Sequence, residues 1–402
     1  MSKFTEYLTI TLAFVSAAGL LAFSQKVEQV EGVRVVHNGK MGVWGDQPKV
    51  GIELVRTLGE LETQDENVAF NLPSDVALDE DGNIYVLDSG NHRIQKFGPD
   101  GRYLATLGRK GQGPGEFVYP ESIDIDDAGY IYVSDPRNQR IQVLTPEGKE
   151  ARTVKMIDEQ PGIVRLAGSG RMVMSPGSMM MMFSAGEEDA KQLPKLITIL
   201  DDQGAVQQKF GEQRDYKDFL LNKAGNGIQS TLDGQDNVYL AFSRQNRIEK
   251  FSPDGRLLWR ADRELDYGTN PKDKGKMERR GGGTSIRMPE LNTCSVGVAA
   301  DSQGRVWLAS LQRQLKEEER AGMSISMTMS GGERSISMKS EGNVELRNTD
   351  AFRFEIYDPD GVLLGIVPLD RFVDDIRIEQ DRLFLIDRMR GAQILEYRIV
   401  EK

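Results

Sequence analysis

The chain contains a single cysteine, Cys294, and only two histidines, His37 and His92. One thiol makes neither an internal disulfide nor a cysteine zinc site, and two imidazoles do not complete a three-histidine metal centre. His92 falls inside a repeated turn and reads as structural. Positive charge is also in short supply: 51 basic residues against 62 acidic ones leave a net charge of −11 over 402 residues. That balance disfavours long-range attraction to nucleic acid or to an anionic membrane face, so no nucleic-acid partner is expected. No glycine-rich phosphate loop opens onto a helix, because "GRKGQGPG" at 108–115 lies between strand patterns.

Long apolar runs are confined to the N-terminus. Lys3 precedes the apolar stretch Leu8 to Phe23, and Ala22-Phe23-Ser24 places small residues at the two positions that specify cleavage. Residues 1–24 therefore read as a signal peptide. An uncleaved anchor is the second reading, since Tyr7 to Gln25 carries no charge. Either way residues 50–402 are expected to be exported, periplasmic or extracellular, with membrane contact only through an uncleaved segment.

What is present is repetition. "DEDGNIYVLDSGNHRIQKFGPDGRYLATLG" at 79–108 returns 47 residues later as "DDAGYIYVSDPRNQRIQVLTPEGKEARTV". The two-residue apolar period of Ile84-Tyr85-Val86 and of Ile94 to Phe97, punctuated by Gly, Pro, Asn and Asp, predicts strands rather than helices. Each unit supplies four strands, a to d. Weaker copies follow at 169–211, 234–260, 301–310 with 352–367, and 379–400, making six units. The sixth lacks strand d, while a spare strand, "GIELVRTLG" at 51–59, precedes the first and ends like the other d strands. Letting 51–59 complete the last sheet closes a ring and removes an exposed edge. The predicted fold is all-β: a six-bladed β-propeller of four-stranded antiparallel blades over 50–402. Residues 25–49 read as a linker, or a flap against the last blade with Trp44 as its anchor.

The run Asp-x-x-Gly-x-Ile-Tyr-Val-x-Asp followed by Asn-x-Arg-Ile-Gln resembles the NHL-repeat propellers, most closely in blades one and two. In this reading Asp88, Asn91 and Arg93, like Asp135, Asn138 and Arg140, hold the turn between strands b and c. The resemblance implies a fold, not an activity. Lactonases and lyases on such propellers place carboxylates, Asn and a metal, or a His base, at the channel. No His falls on an innermost strand here, and Asn226 and Asn292 alone keep a calcium lactonase-like alternative open.

Three insertions fall at 175–194, 263–293 and 311–351. Propeller connectivity puts d-to-a and b-to-c connections on one face, so all three belong there, over neighbouring blades. "GMSISMTMSGGERSISMKSEGN" at 322–343 alternates around Gly331-Gly332 and predicts a hairpin with Met327 opposite Ile336 and Ile325 opposite Met338. Met327 and Met329 with Met180 and Phe183 of the blade-three insertion form a candidate adaptable apolar surface. The channel mouth is the other candidate, with Asp75, Glu121, Asp124, Arg165, Gln229, Thr231, Asp375 and Arg377 near the axis. Asp124 with Arg165, and Asp375 with Arg377, are expected to form ion pairs sealing it. A cation or polar ligand at Asp75, Glu121 and Asp375 is the alternative. No cofactor is called for, calcium being the alternative. The function expected is a non-enzymatic scaffold for a protein, peptide or glycan ligand, with a metal-dependent hydrolase or lyase at the channel mouth as the second reading.

Overall fold

A computed structural model describes residues 25–60, 63–156, 160–177, 193–280, 283–330 and 333–402, with side chains described for all of these except 278–280, 283–285, 322–330 and 333–341. Six antiparallel sheets follow one another along the chain. Blade one consists of Pro73–Leu78, Ile84–Asp88, Arg93–Phe97 and Tyr103–Leu107, and blade two of Ser122–Ile125, Ile131–Asp135, Arg140–Leu144 and Glu150–Lys155. Blade three has Ile163–Leu166, Met172–Ser175, Ile197–Leu200 and Val206–Phe210; blade four has Ile228–Leu232, Val238–Phe242, Ile248–Phe251 and Leu257–Arg263. Blade five uses Ser295–Ala300, Val306–Leu311, Asn348–Tyr357 and Leu363–Arg371. Blade six has Asp375–Glu379, Arg382–Asp387 and Gln393–Glu401, and its fourth strand is Val50–Leu58 from the N-terminal side, paired antiparallel to Gln393–Glu401. The ring is closed as the strand count predicts.

The closing strand ends like the other d strands for a steric reason. Gly59, Gly108 and Gly211 take φ of +97°, +78° and +82°, and a Cβ on Gly108 would lie 2.2 Å from the Phe117 ring. Only glycine holds that conformation and that spacing together.

The repeated Asp, Asn and Arg form one hydrogen-bond device. Asp88 accepts from Asn91 Nδ2 and Arg93 Nε, both at 2.8 Å, and from the Asn71 N–H at 2.7 Å. Arg93 Nη2 then reaches the Ala69 carbonyl at 3.0 Å. In blade two Asp135 accepts from Asn138 Nδ2 at 2.7 Å and Arg140 Nε at 3.2 Å, while Arg140 Nη2 reaches the Glu116 carbonyl at 2.8 Å. The motif thus ties each b-to-c turn to the preceding d-to-a connection. His92 belongs to the same turn, its Nδ1 accepting the Tyr119 N–H at 3.0 Å. Apolar side chains between blades form the core: Tyr85, Leu87 and Ile94 of blade one pack with Ile123, Ile131 and Val133 of blade two, all essentially inaccessible.

Residues 25–49 are neither linker nor flap on the last blade. Lys26–Val30 and Val33–Asn38 form a hairpin that extends blade four to six strands, Val33–Asn38 running parallel to Leu257–Arg263. The cause is Val36, fully buried in the cluster that holds Trp259 and Tyr239. Trp44 docks on blade five, where its N–H donates to the Leu364 carbonyl at 2.7 Å and its ring lies against Gly365. A short helix, Phe219–Gly225, interrupts the connection between blades three and four; Asp218 caps it by accepting the Leu221 N–H at 3.0 Å.

Candidate functional site at the channel mouth

Strands a touch around the axis between every pair of neighbouring blades except three and four, where strand b of blade three meets strand a of blade four, so a polar residue on one can serve the next. Asp75 Oδ2 accepts the Ile123 N–H at 3.0 Å, the Ser122 hydroxyl oxygen accepts the Val164 N–H at 2.9 Å, and Asp124 Oδ2 accepts the Leu166 N–H at 2.8 Å. These side chains clamp blades one, two and three together at the centre.

The arginines complete the closure, with partners other than those expected. Arg165 donates Nη1 to Asp75 Oδ2 at 2.7 Å and Nη2 to Asp75 Oδ1 at 3.3 Å, linking blade three to blade one. Arg377 of blade six lies 3.8 Å from Asp75 and 3.5 Å from Asp124, and it also pairs with Glu379. Asp375 pairs at 3.4 Å with Arg388 instead of with Arg377. The reason is reach: the Arg165 stem is long enough to pass blade two and meet Asp75 of blade one, while Asp124 already serves the Leu166 backbone beside it.

Charge states follow the surroundings. Burial pushes the Asp375 carboxyl up to about 6, against the pull of Arg388. Glu379 is likewise raised by burial, with Arg377 opposing. Burial alone would lower the Arg377 pKa, but Glu379, Asp75 and Asp124 hold it above its ordinary value. Among the described residues, no group of three or more His, Cys, Asp or Glu side chains is placed to hold a metal ion. Asn226 is spent internally, its side chain accepting the Arg214 N–H at 2.8 Å and donating to the Arg214 carbonyl at 2.9 Å. Asn292 donates to the Gly268 carbonyl at 2.9 Å.

Above the ion pairs opens a cavity of about 690 Å³. Its floor includes Arg165, Asp375 and Arg377 from strands a. Its walls draw on all three insertions, through Ser175 to Gly177, Met288 to Thr293, and Leu311, Gln314 and Ala321. Gln229 is also in the lining, donating to the Ser243 hydroxyl at 2.9 Å. Glu121 lies beside the cavity against Gly177, where a Cβ would sit 1.6 Å from its Oε2. Met180 and Phe183 lie outside the described residues. The backbone of the blade-five hairpin, Ala321–Ser330 with Glu333–Gly342, pairs Met327 with Ile336, Ile325 with Met338 and Met329 with Arg334; the Met327 and Met329 side chains also lie outside the described residues. The four-to-five insertion carries a second hairpin, Lys276–Arg280 with Gly283–Arg287.

Sequence reasoning missed Arg388, Glu379 and Arg244. Two of them lie in b-to-c turns: Arg388 directly follows strand b of blade six, where blades one and two have Ser89 and Pro136, and Arg244 lies one position further on in blade four, where they have Gly90 and Arg137. Aligning the turns rather than only the strands would have found both.

Comparison with known proteins agrees at the level of architecture. A family model described as DUF5128, a 6-bladed β-propeller, matches residues 55–150. No curated protein matches the chain. Among solved structures, a DUF4221 family member from Bacteroides vulgatus aligns with 89% of this chain and 100% of its own at 10% identity and a TM-score of 0.56. A Bacteroides fragilis protein, named as one expected to be exported, aligns with 92% of this chain and 99% of its own at 9% identity and a TM-score of 0.52. At such identities the likeness is one of fold. The sheet order, the family match over the first two blades and these whole-chain alignments together identify the chain as a six-bladed β-propeller.

Proposed function

We propose that the protein is an exported, non-enzymatic binding scaffold of NHL-type repeat, which captures a protein, peptide or glycan ligand on its insertion-bearing face. The observation that carries this reading is the convergence of all three insertions on one cavity whose floor is closed by neutralised ion pairs. Long loops gathered on one face of a rigid ring are a usual place for recognition. A cavity of about 690 Å³ lies within the ~300–1,000 Å³ common for ligand sites. The hydrolase alternative has less behind it, because Asp75 faces two arginines and the Asn226 amide is consumed by backbone partners.

The test is capture on immobilised peptide and glycan arrays by the purified chain, beside a variant with 322–341 replaced by a two-residue turn. Capture that disappears in the variant at unchanged melting temperature is expected. Equal capture by both proteins, or turnover of a captured ligand, would reject the scaffold reading.

A further inference from the structure

The cavity is basic although the chain is acidic. Its acidic lining is limited to Glu290, Asp374 and Asp375 among the described residues, and the basic side chains outnumber them. Most of those cations have partners: Arg165 has Asp75, Arg377 has Asp124 and Glu379, Arg388 has Asp375, and Lys272 has Glu290 at 2.6 Å.

Arg244 is different. Among the described residues no carboxylate lies within ion-pair distance of it, and burial lowers its pKa, with Cys294 opposing. Its Nη1 donates to the Leu291 carbonyl at 3.2 Å and to the Thr293 hydroxyl, which fixes the guanidinium plane. Nε and Nη2, the adjacent parallel donors of that plane, have no acceptor among the described residues. A carboxylate is the group that matches this edge, with two N–H···O bonds side by side. Arg388, in the same lining, has a buried Nε without a hydrogen-bond partner. No aromatic side chain lines the cavity among the described residues, so a nucleobase or a stacked sugar face has no platform. Gln229, Ser230 and Asn292 supply hydrogen-bonding groups around the remaining wall.

We propose that this cavity binds a small organic carboxylate, seated on the Nε–Nη2 edge of Arg244, with its other polar groups met by Gln229, Ser230 and Asn292. The proposal rests on the reading of this cavity as the ligand site, and it adds the chemical class of what enters. It is tested by calorimetric titration of the full chain with succinate, citrate and galacturonate, beside inorganic phosphate and neutral galactose. Binding of at least one carboxylate near one per chain is expected, weakened about tenfold or more in Arg244→Gln. Arg244→Lys keeps the charge and loses the fork; it is expected to fold with the wild-type melting temperature and still bind about tenfold more weakly. Arg256→Gln, an exposed change outside the lining, is expected to leave affinity within about threefold.

Equal affinity in the Arg244 variants, binding of phosphate alone, or galactose binding as well as galacturonate would each overturn the assignment. The two proposals also fail separately. Carboxylate binding without array capture removes the scaffold and keeps the anion site. Hairpin-dependent capture without carboxylate binding does the reverse.

Discussion

Asp75 and Arg165 are respectively 2% and 8% exposed, and they meet through two hydrogen bonds across the axis. Asp75→Ala removes the only carboxylate in ion-pair contact with Arg165 among the described residues and takes a further one from Arg377. At an effective dielectric of about 20, unit charges about 4 Å apart attract by about 4 kcal/mol. Stranding one buried partner typically costs about 3–5 kcal/mol, and the Ile123 N–H loses its acceptor as well. Arg165→Met leaves Asp75 with Arg377 and two backbone N–H donors, so its cost is expected to be smaller, about 1–2 kcal/mol. The double variant replaces the pair by apolar atoms, and its cost should fall below the sum of the singles by about 2 kcal/mol or more. Urea unfolding of all four proteins gives the cycle directly. A coupling below about 0.5 kcal/mol, the range expected of independent sites, would refute the view that this pair closes the axis.

Asp375 gives a pH signature. Its carboxyl sits near 6 against an ordinary value of 3.8, so the stability it contributes is full below about 4 and is lost as pH rises through 6. With 27% of the side chain exposed, the loss is expected to be about 2 kcal/mol or less. Asp375→Asn should therefore gain on the wild type in urea midpoints between pH 4 and 7, and a pH-independent difference would count against the assignment. On the closing strand, Leu58 is 5% exposed and Leu54 is 51% exposed. Leu58→Ala is expected to cost about 2–4 kcal/mol and Leu54→Ala less than about 0.5 kcal/mol; similar costs would contradict the register. Removal of 25–38 uncovers the edge of Leu257–Arg263, and concentration-dependent association is expected by gel filtration. An unchanged elution volume at all concentrations would speak against that strand's protective role.

The ring was legible because its information is periodic. The Asp88 and Asp135 turns repeat with matching partners, three of the six d strands are followed by the same glycine, and a missing strand at one end matches a spare at the other. The turn roles of Asn91, Arg93, Asn138 and Arg140 were legible for the same reason. What could not be read is set by distance across the axis. Arg165 and Arg377 were placed correctly near the centre, but which acid each meets depends on side-chain reach over a gap that no local pattern encodes. The hairpin at 26–38 was hidden differently: Val33–Asn38 carries apolar character too short to distinguish from a linker, and its parallel partner lies more than two hundred residues away. Arg244 escaped because the matching turn positions in blades one and two, Gly90 and Arg137, differ from each other, so the repeat gave no residue type to follow.

The N-terminal stretch runs across half the ring as a strap. It pairs with blade four through Val33–Asn38, fastens to blade five at Val43 and Trp44, and ends as the outer strand of blade six. Tension applied at the N-terminus is therefore taken first by blade four, next by blade five, and only then by the joint between Val50–Leu58 and Gln393–Glu401. The seam that holds the circle shut is the last element in the line of load, so a tether at that end can slacken or peel without opening the ring.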